Sequence, residues 1–271
     1  MKANIRFWGV KGSIASQASK FGSNTSCVEL DLGDSNSIFF DAGTGIRAAT
    51  QNRIFKSLNL FISHFHWDHI QGLPFLNGLG RDDIKVSIYS GFEDIRERLQ
   101  HLFDPRFHPV SLKDYESQLE IHHFHPGEKM ELMGLQIETA LLNHPGKSYA
   151  YKVSGRSSSF CYATDSDYDP VPDEASRLLH QTDFAIVDSQ YLSGDFLEKA
   201  DYGHSSFQRA IDVCAEHRVK NCLLFHFDPN YSDAELENLE RQAQDYSQSK
   251  YSKNAPKVMM SREGLQIPLN L

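Results

Sequence analysis

The stretch Ser63-His64-Phe65-His66-Trp67-Asp68-His69 decides the fold of this chain. Three imidazoles and one carboxylate lie within six residues, directly after the apolar run 58–62. An apolar run that ends abruptly in such side chains predicts a buried strand with functional groups at its tip. Imidazole and carboxylate donors suit a divalent ion such as zinc or manganese. Their alternation favours two metal ions rather than one.

The composition is that of an ordinary globular protein. The chain has 271 residues, of which 40% are hydrophobic and 23% charged, enough for one large domain or two small ones. Because neither a linker nor a repeat interrupts it, we predict a single domain over residues 1–271. No apolar segment is long enough to predict a membrane span. The start lacks a signal-peptide pattern and the four cysteines are scattered, which favours a cytoplasmic location.

The formal net charge of −9 disfavours extended nucleic acid as a partner, because binding of that kind needs a basic surface. A small substrate that contains phosphate is still compatible with this charge. Bound metal ions would dominate the local field around such a group.

Hydrophobic patterning predicts an α/β fold. Strands are predicted at 5–10, 27–32, 37–40, 58–62, 85–89, 119–124, 135–142, 149–153, 159–163, 184–187, 220–225 and in a short run that ends near Pro268. Helices are predicted at 44–54, 70–79, 92–102, 205–217 and 233–248. Strands followed by helices, twice over, indicate two packed sheets with helices outside, a four-layer αββα sandwich.

Three further candidate ligands lie where an apolar run meets a turn. They are His144, Asp165 and His226. Rigid strand ends are suitable positions for functional side chains. A single histidine after a strand is more often structural, but together with the histidine-rich loop these residues predict a shared metal site.

These motifs resemble the metallo-β-lactamase-fold hydrolases, in the branch that includes ribonuclease Z and PhnP-like cyclic phosphodiesterases. The match consists of His64-x-His66-x-Asp68-His69, His144, Asp165 and His226. Two more segments resemble the acidic motif and the histidine-serine motif of ribonuclease Z: Asp188-Ser189-Gln190-Tyr191 and Gly203-His204-Ser205-Ser206. Segments 9–13, 22–27 and 41–45 also resemble this branch, and the likeness extends from about Phe7 to Pro229.

The resemblance implies two metal ions, with zinc expected first and manganese or iron as alternatives. His64, His66 and His144 would hold one ion. Asp68, His69 and His226 would hold the other, and Asp165 would bridge both. Seven ligands for two ions leave open coordination positions, as catalytic sites require. Asp41 would fix the tautomer of a ligand histidine, although a turn-capping role explains it equally well.

The implied activity is hydrolysis of a phosphodiester bond by a metal-bridging hydroxide, in a small substrate such as a cyclic nucleotide. Asp68 would orient the nucleophile as well as bind metal. His204 would contact the phosphate or protonate the leaving oxygen, and Asp188 would orient His204 and favour its imidazolium form. The alternative for His204 is a position on a surface loop before a helix that Ser205 caps.

Other functions are compatible with the same fold. An acyl hydrolase, such as a lactonase or thioesterase, would use the same metal pair, but the Asp188–His204 pair favours phosphate. An RNA-processing endonuclease is less favoured because ribonuclease Z holds transfer RNA with a basic arm that this chain lacks. Relatives with a di-iron redox centre usually carry a carboxylate in place of His66. A relic site without activity is disfavoured because the ligand set is full.

The resemblance and the loop sequences bear on two more features, the oligomeric state and the substrate contacts. Relatives of this branch are commonly dimers, so a homodimer is compatible with the sequence. The Pro-bounded segment 103–109 is expected to be an ordered loop in which Arg106, Phe107 and His108 are weaker candidates for substrate contacts. Ordinary loop packing is the simpler interpretation for each of them.

Overall fold

Two seven-stranded sheets pack face to face in the computed structural model. The structure describes residues 1–81, 83–192 and 200–271. The strands are β1 Lys2–Gly9, β2 Cys27–Asp31, β3 Asn36–Phe40, β4 Ser57–Phe61, β5 Lys85–Ser90, β6 Leu119–His123, β7 Lys129–Leu132, β8 Leu135–Leu142, β9 Ser148–Ser154, β10 Ser159–Ala163, β11 Phe184–Asp188, β12 Asn221–Phe225, β13 Lys257–Met260 and β14 Gln266–Asn270. The α-helices are α1 Gly45–Thr50, α2 Trp67–Ile70, α3 Ile95–Leu102, α4 Asp173–Leu179, α5 Phe207–Glu216 and α6 Asp233–Tyr251.

Both sheets combine antiparallel and parallel strands in the same way. The strand order is β14-β1-β2-β3-β4-β5-β6 in the first sheet and β13-β12-β11-β10-β9-β8-β7 in the second. Strands β3 to β6 run parallel in the first sheet, and strands β10 to β13 run parallel in the second. The carboxyl ends of parallel strands share one sheet edge, which is where side chains for a site can converge.

Aromatic rings fill the space between the sheets. Phe40 of β3 contacts Tyr151, Phe160 and Tyr162 of the second sheet, with ring centroids 5.2 to 6.2 Å apart. Burial of large rings removes much apolar surface from water and dominates the energetics of such a core. This core therefore holds the two strand-end edges in register with each other.

Helices cover the outer faces of both sheets. Helices α1 and α3 pack on the first sheet, and α4, α5 and α6 pack on the second. The predicted αββα sandwich is confirmed. Every helix in the described parts of the chain is too short or too polar to cross a bilayer.

Several predicted elements differ from the observed ones. The helix predicted at 70–79 is wrong: α2 ends at Ile70 and a 3-10 turn follows at Leu73–Phe75, with Pro74 in its first residues. Proline has no amide hydrogen to donate within a helix, and it disfavours the helical conformation of the residue before it. The α-helix therefore does not continue through this segment. Helix α1 ends at Thr50 because Gln51 is extended.

Three elements escaped the sequence analysis. Strands β7 and β13 and helix α4 have only four to seven residues each. Strand β7 lies at the edge of its sheet with polar residues alternately exposed, so its pattern resembles a loop. The alternative in which Ser205 caps α5 is wrong, because the hydroxyl of Ser206 accepts the hydrogen bond from the Arg209 amide.

A buried carboxylate connects three strands of the first sheet with the segment after α1. Glu29 of β2 is fully buried and accepts hydrogen bonds from Trp8 Nε1 at 2.8 Å and Ser37 Oγ at 2.6 Å. The Arg53 guanidinium donates to both of its oxygens, at 2.7 and 2.9 Å. A buried charge is tolerated only when it is paired and hydrogen-bonded in this way.

We expect Arg53→Ala to lower the free energy of unfolding by about 3 kcal/mol, because it leaves Glu29 buried without its counter-charge. Trp8 and Ser37 would still donate to Glu29, which limits the loss. Urea denaturation measures the effect. Arg47→Ala is the control: Arg47 is exposed on α1, and its replacement should change stability by less than about 0.5 kcal/mol. Equal effects of the two substitutions would contradict this interpretation.

Candidate metal centre

The candidate ligands follow strands of both sheets and meet at one edge. His64 and His66 follow β4, and His144 follows β8. Asp165 follows β10 and His226 follows β12. Because the strand ends are fixed by sheet pairing and by the aromatic core, they hold these side chains on rigid supports.

The first group contains His64, His66, His144 and Asp165, whose donor atoms all lie within 4.8 Å of one another. His66 Nδ1 lies 3.3 Å from His144 Nε2. His64 Nε2 lies 3.5 Å from Asp165 Oδ2. Three of these residues are buried, and His66 alone among them is exposed, so this group is open to solvent on the side of His66.

The second group contains Asp68, His69 and His226. Asp68 Oδ2 lies 3.3 Å from His69 Nε2 and 3.0 Å from His226 Nε2. The two ring nitrogens are 3.1 Å apart. Two imidazoles and one carboxylate thus direct their donor atoms at a common point.

Asp165 lies between the two groups. Its Oδ2 faces His64 at 3.5 Å and His144 at 4.0 Å. Its Oδ1 faces His69 at 3.3 Å and His226 at 3.4 Å. One oxygen therefore points at each group, as a carboxylate shared by two cations would.

These residues fit a pair of divalent cations. His64 Nε2 is buried and has no hydrogen-bond partner, which is costly for a polar atom unless something binds it. Imidazole nitrogens and carboxylate oxygens are ordinary zinc donors, and manganese and iron accept them as well. The clusters are able to bind metal, and their donor atoms alone do not distinguish these ions.

The charges around the groups favour a cation. Burial, together with the neighbouring His69, lowers the pKa of His64 well below its ordinary value and keeps that ring neutral, as a metal ligand must be. Burial by itself would raise the pKa of Asp165, but His226, His69 and His64 hold it well below the usual range. Burial opposes a charge on His69 too, yet Asp165, Asp68 and Asp41 raise its pKa well above normal. The carboxylates therefore stabilise positive charge at this point.

Unusual backbone conformations aim three of these side chains. Asp41, Asp165 and His226 have φ angles of 59°, 58° and 67°, in the left-handed region. For residues other than glycine this conformation costs on the order of 1–3 kcal/mol and is found where function requires it. Each of the three lies within two residues of a strand end, so the turn redirects the side chain into the site.

Two glycines leave room for the histidines. A Cβ at Gly12 would lie 2.6 Å from the His226 ring, and a Cβ at Gly203 would lie 2.1 Å from Pro145 and 2.7 Å from His144 Nδ1. Gly203 also has a φ of 75°, and its carbonyl accepts a hydrogen bond from His144 Nδ1 at 2.9 Å. That bond fixes the His144 ring with Nε2 toward the first group.

Asp41 orients the His69 ring from the side that faces away from the second group. The His69 Nδ1–H group donates to Asp41 Oδ2 at 2.6 Å, so Nε2 faces the second group. Ser63 donates to Asp41 through its amide and its hydroxyl, both at 2.7 Å, and Tyr162 donates from the opposite sheet at 2.8 Å. Asp41 therefore does more than cap a turn, because it also fixes the orientation of the His69 ring.

We expect Asp41→Asn to weaken metal binding about 10–100-fold, because such outer partners set the tautomer and basicity of a ligand histidine. Activity should largely return at saturating metal. Metal titration with a competing chelator measures the affinity. Asp31→Asn, at a carboxylate that pairs with Arg6 away from the ligand groups, is the control and should bind metal normally. Unchanged affinity in Asp41→Asn would show that Asp41 only supports the turn.

A second histidine–carboxylate pair lies beside the ligand groups. His204 Nδ1 donates to Asp188 Oδ2 at 2.7 Å, while Asp188 Oδ1 accepts from the amides of Gln190 and Ser205, both at 3.0 Å. Burial would lower the pKa of His204, but Asp188 and then Asp165 raise it to about 8. His204 is buried before α5 and is not a surface loop residue.

His204 also belongs to a third possible grouping, with Asp165, Asp188 and His226. Its Nδ1 is 3.8 Å from Asp165 Oδ2 but only 2.7 Å from Asp188 Oδ2. The shorter contact engages Nδ1 with Asp188, so Nε2 is the atom that remains for a substrate or a proton transfer.

An open cavity of about 350 Å³ gives access to both ligand groups. His66, Asp68, Asp165 and His204 line it together with Ser13, Phe65 and Trp67. The Ser13 amide donates to Asp68 Oδ2 at 2.7 Å, and Ser13 Oγ accepts from Gln190 Nε2 at 3.2 Å. Ser13 therefore orients the Asp68 carboxylate at the edge of the cavity.

A family model decides the relationship of this chain to known proteins. The model of the beta-lactamase superfamily domain matches residues 36–227. The chain belongs to the beta-lactamase superfamily. The matched region contains all the strand ends that carry the two ligand groups, so the predicted resemblance is confirmed.

Curated relatives of this superfamily member include several proteins named Ribonuclease Z. Ribonuclease Z of Staphylococcus haemolyticus (strain JCSC1435) is 23% identical over 282 residues, which cover 81% of this chain and 88% of that enzyme. Ribonuclease Z of Prochlorococcus marinus (strain MIT 9301) is 30% identical over 167 residues, but the match spans only 49% of that relative.

Solved structures share the fold along nearly the whole chain. The metallo-beta-lactamase fold protein YhfI from Bacillus subtilis has a TM-score of 0.76 and 17% identity, with 99% of each chain covered. A diphosphatase from the PhnP family has a TM-score of 0.71 and 18% identity, with 99% of this chain and 98% of that chain covered. This beta-lactamase-superfamily protein is thus a hydrolase with the metallo-β-lactamase fold and with His/Asp clusters able to bind metal.

The structure brings together all seven residues named as metal ligands and places Asp188 and His204 beside them. Sequence reasoning missed the roles of Ser63 and Tyr162, which donate to Asp41, and of the Ser13 amide, which donates to Asp68. Ser63 directly precedes His64 of the ligand motif, so the sequence did contain a signal for the role of its hydroxyl. Tyr162 lies in an apolar strand 121 residues from Asp41, and nothing in the sequence links the two.

Proposed function

We propose that this protein hydrolyses a phosphodiester bond in a small substrate such as a cyclic nucleotide. The observation that carries this proposal is the His204–Asp188 pair beside the ligand groups, with Nδ1 and Oδ2 2.7 Å apart. A carboxylate-bound imidazole offers a proton and positive charge toward an anionic group, which suits a phosphate and its leaving oxygen. The relatives named Ribonuclease Z support the same substrate chemistry.

In the proposed site, His64, His66 and His144 would hold one cation, Asp68, His69 and His226 would hold the other, and Asp165 would contribute to both. Divalent cations held there would supply charge stabilisation at the phosphoryl oxygens and a nucleophile at neutral pH. Zinc is the first expectation, and manganese or iron are the alternatives.

Three residues of the chain have the remaining catalytic and positioning roles. Asp68, which the Ser13 amide holds from one side, orients the nucleophile. His204 contacts the phosphate or protonates the leaving oxygen through Nε2. Asp188 positions His204, and its two accepted amide hydrogen bonds fix the carboxylate.

A small substrate is favoured over folded RNA by the charge of the chain. The formal net charge is −9, and contacts to several phosphates of an extended nucleic acid need lysine and arginine instead. The opening to the ligand groups is a cavity of about 350 Å³, which suits a small molecule.

A substrate panel tests the proposal on protein of measured metal content. The panel contains bis-p-nitrophenyl phosphate, cyclic nucleotides, linear dinucleotides, precursor transfer RNA and a chromogenic lactone. We expect the small phosphodiesters to be hydrolysed at least tenfold faster than the lactone. We also expect that precursor transfer RNA is not cleaved in preference to these small substrates. A lactone rate equal to or above the phosphodiester rates would identify an acyl hydrolase. Preferred cleavage of the RNA would identify a processing endonuclease.

A further inference from the structure

A second cavity, of about 420 Å³, adjoins the cavity at the ligand groups. Phe65 and Trp67 line both cavities, so the two lie next to each other at the histidine-rich loop. The far wall is formed by α3 and by the loop after it, including Phe107. A substrate that reaches the ligand groups with one end therefore finds this second cavity within reach of its other end. We call it the aromatic cavity.

The walls of the aromatic cavity expose large rings. Trp67 is 66% exposed and Phe107 is 80% exposed. Single exposed apolar residues are common and need no explanation, but two exposed aromatic residues that line one cavity form a patch of the kind that marks a binding site. Trp67 lies between His66 and Asp68 in sequence, so its position is tied to that of the ligand groups.

The loop that carries Phe107 is ordered by its own hydrogen bonds. The amides of Phe107 and His108 donate to the Asp104 carbonyl at 2.8 and 2.9 Å. The Arg106 guanidinium donates to the Asp104 carboxylate, with Nη2 2.6 Å from Oδ2. His108 also packs against Phe103, with ring centroids 5.4 Å apart. A loop held in this way presents Phe107 with little conformational entropy left to lose on binding.

Two guanidinium groups in the walls favour a planar group over an alkyl chain. The Arg98 guanidinium lies over Phe65 at 5.5 Å, and the Arg106 guanidinium lies over Phe107 at 5.7 Å. Flat guanidinium groups and aromatic rings both stack on nucleobases. The Arg106 guanidinium donates to both oxygens of the Asp104 carboxylate, at 2.9 and 2.6 Å, and this pairing fixes its plane beside Phe107.

We propose that the aromatic cavity is a binding subsite for the nucleobase of the substrate, with the base stacked on Trp67 and Phe107 while its phosphate lies at the ligand groups. The inference rests on the proposed phosphodiesterase function for the chemistry at the phosphate. It adds that the substrate is a nucleotide rather than a phosphodiester of an alkyl alcohol.

Binding of turnover-resistant monophosphates to the metal-loaded protein tests this inference. Adenosine 5′-monophosphate, ribose 5-phosphate and n-hexyl phosphate share a phosphate and differ in the group that would enter the cavity. By isothermal titration calorimetry we expect the adenosine compound to bind at least tenfold more tightly than either of the others. Phe107→Ala should remove roughly 5–100-fold of that affinity, as loss of one stacking partner does, and should leave ribose 5-phosphate binding unchanged.

The matched control is Ile54→Ala, at an apolar residue that is 75% exposed and lies outside both cavities. It should leave all three affinities unchanged. Equal binding of adenosine 5′-monophosphate and ribose 5-phosphate, or no selective effect of Phe107→Ala, would overturn the subsite even if the protein hydrolyses phosphodiesters. Tight binding of n-hexyl phosphate would overturn the choice of a base in favour of an alkyl group. Selective base binding without turnover of any phosphodiester would instead refute the proposed function and leave the subsite standing.

Discussion

Asp165→Ala is expected to abolish metal binding and hydrolytic activity together. The two oxygens of Asp165 face the two groups separately, at 3.3 to 4.0 Å from four histidine nitrogens, so no other residue can replace their function. Without this carboxylate, the site loses the negative charge that would offset the repulsion between two nearby cations. Loss of the several kcal/mol of transition-state stabilisation that metal ions supply corresponds to a rate decrease of roughly a thousandfold or more.

Metal analysis of the purified variant and a phosphodiesterase assay measure the two effects. Asp165→Asn is the companion variant, because it keeps the volume and one oxygen of the side chain and so separates loss of charge from loss of packing. Asp245→Ala, at an exposed residue of α6, should retain metal and activity. Full occupancy of two metals in folded Asp165→Ala would show that the carboxylate does not bridge them.

His204→Ala is expected to keep its metal and lose turnover. The His204 Nδ1 atom is engaged by Asp188 at 2.7 Å, which leaves Nε2 as the nitrogen that can act on the substrate. Loss of a positioned general acid lowers the rate by roughly 10²–10⁴-fold. Because His204 is buried, we also expect a modest loss of stability, which thermal unfolding would reveal separately from the loss of activity.

Asp188→Asn tests whether Asp188 acts through His204. It should lower kcat much more than it raises KM, since Asp188 faces the histidine and not the cavity. His180→Ala, at an exposed histidine after α4, is the control and should leave metal content and rate unchanged. A full phosphodiesterase rate in His204→Ala would refute the catalytic assignment, and loss of metal in that variant would make His204 a ligand.

The architecture could be predicted from the sequence alone because local hydrophobic patterns specify the strands and helices. Apolar runs that end in polar side chains identified β4, β8, β10 and β12, and the bounds predicted for β8 and β10 agree with the structure. The spacing of the histidine-rich loop predicted metal chemistry, since few other functions bring three imidazoles and a carboxylate so close together. Short or polar elements such as β7 and α4 were missed because four to seven residues carry too little periodicity to distinguish them from loops.

The resemblance already implied how the ligands divide into two groups, but the tertiary structure decided the geometry between them. Sequence order says nothing about which oxygen of Asp165 faces His64 and which faces His226, because that depends on how the two sheets pack. The same packing brings Tyr162 to Asp41 and the Ser13 amide to Asp68.

The aromatic cavity is also a product of tertiary packing, because Trp67 and Phe107 are 40 positions apart in sequence and line one space only after α3 docks on the first sheet. Hydrophobic patterning determines which strands form and which residues stand at their ends. The docking of distant strands and loops determines the distances between those residues, and chemistry depends on distance.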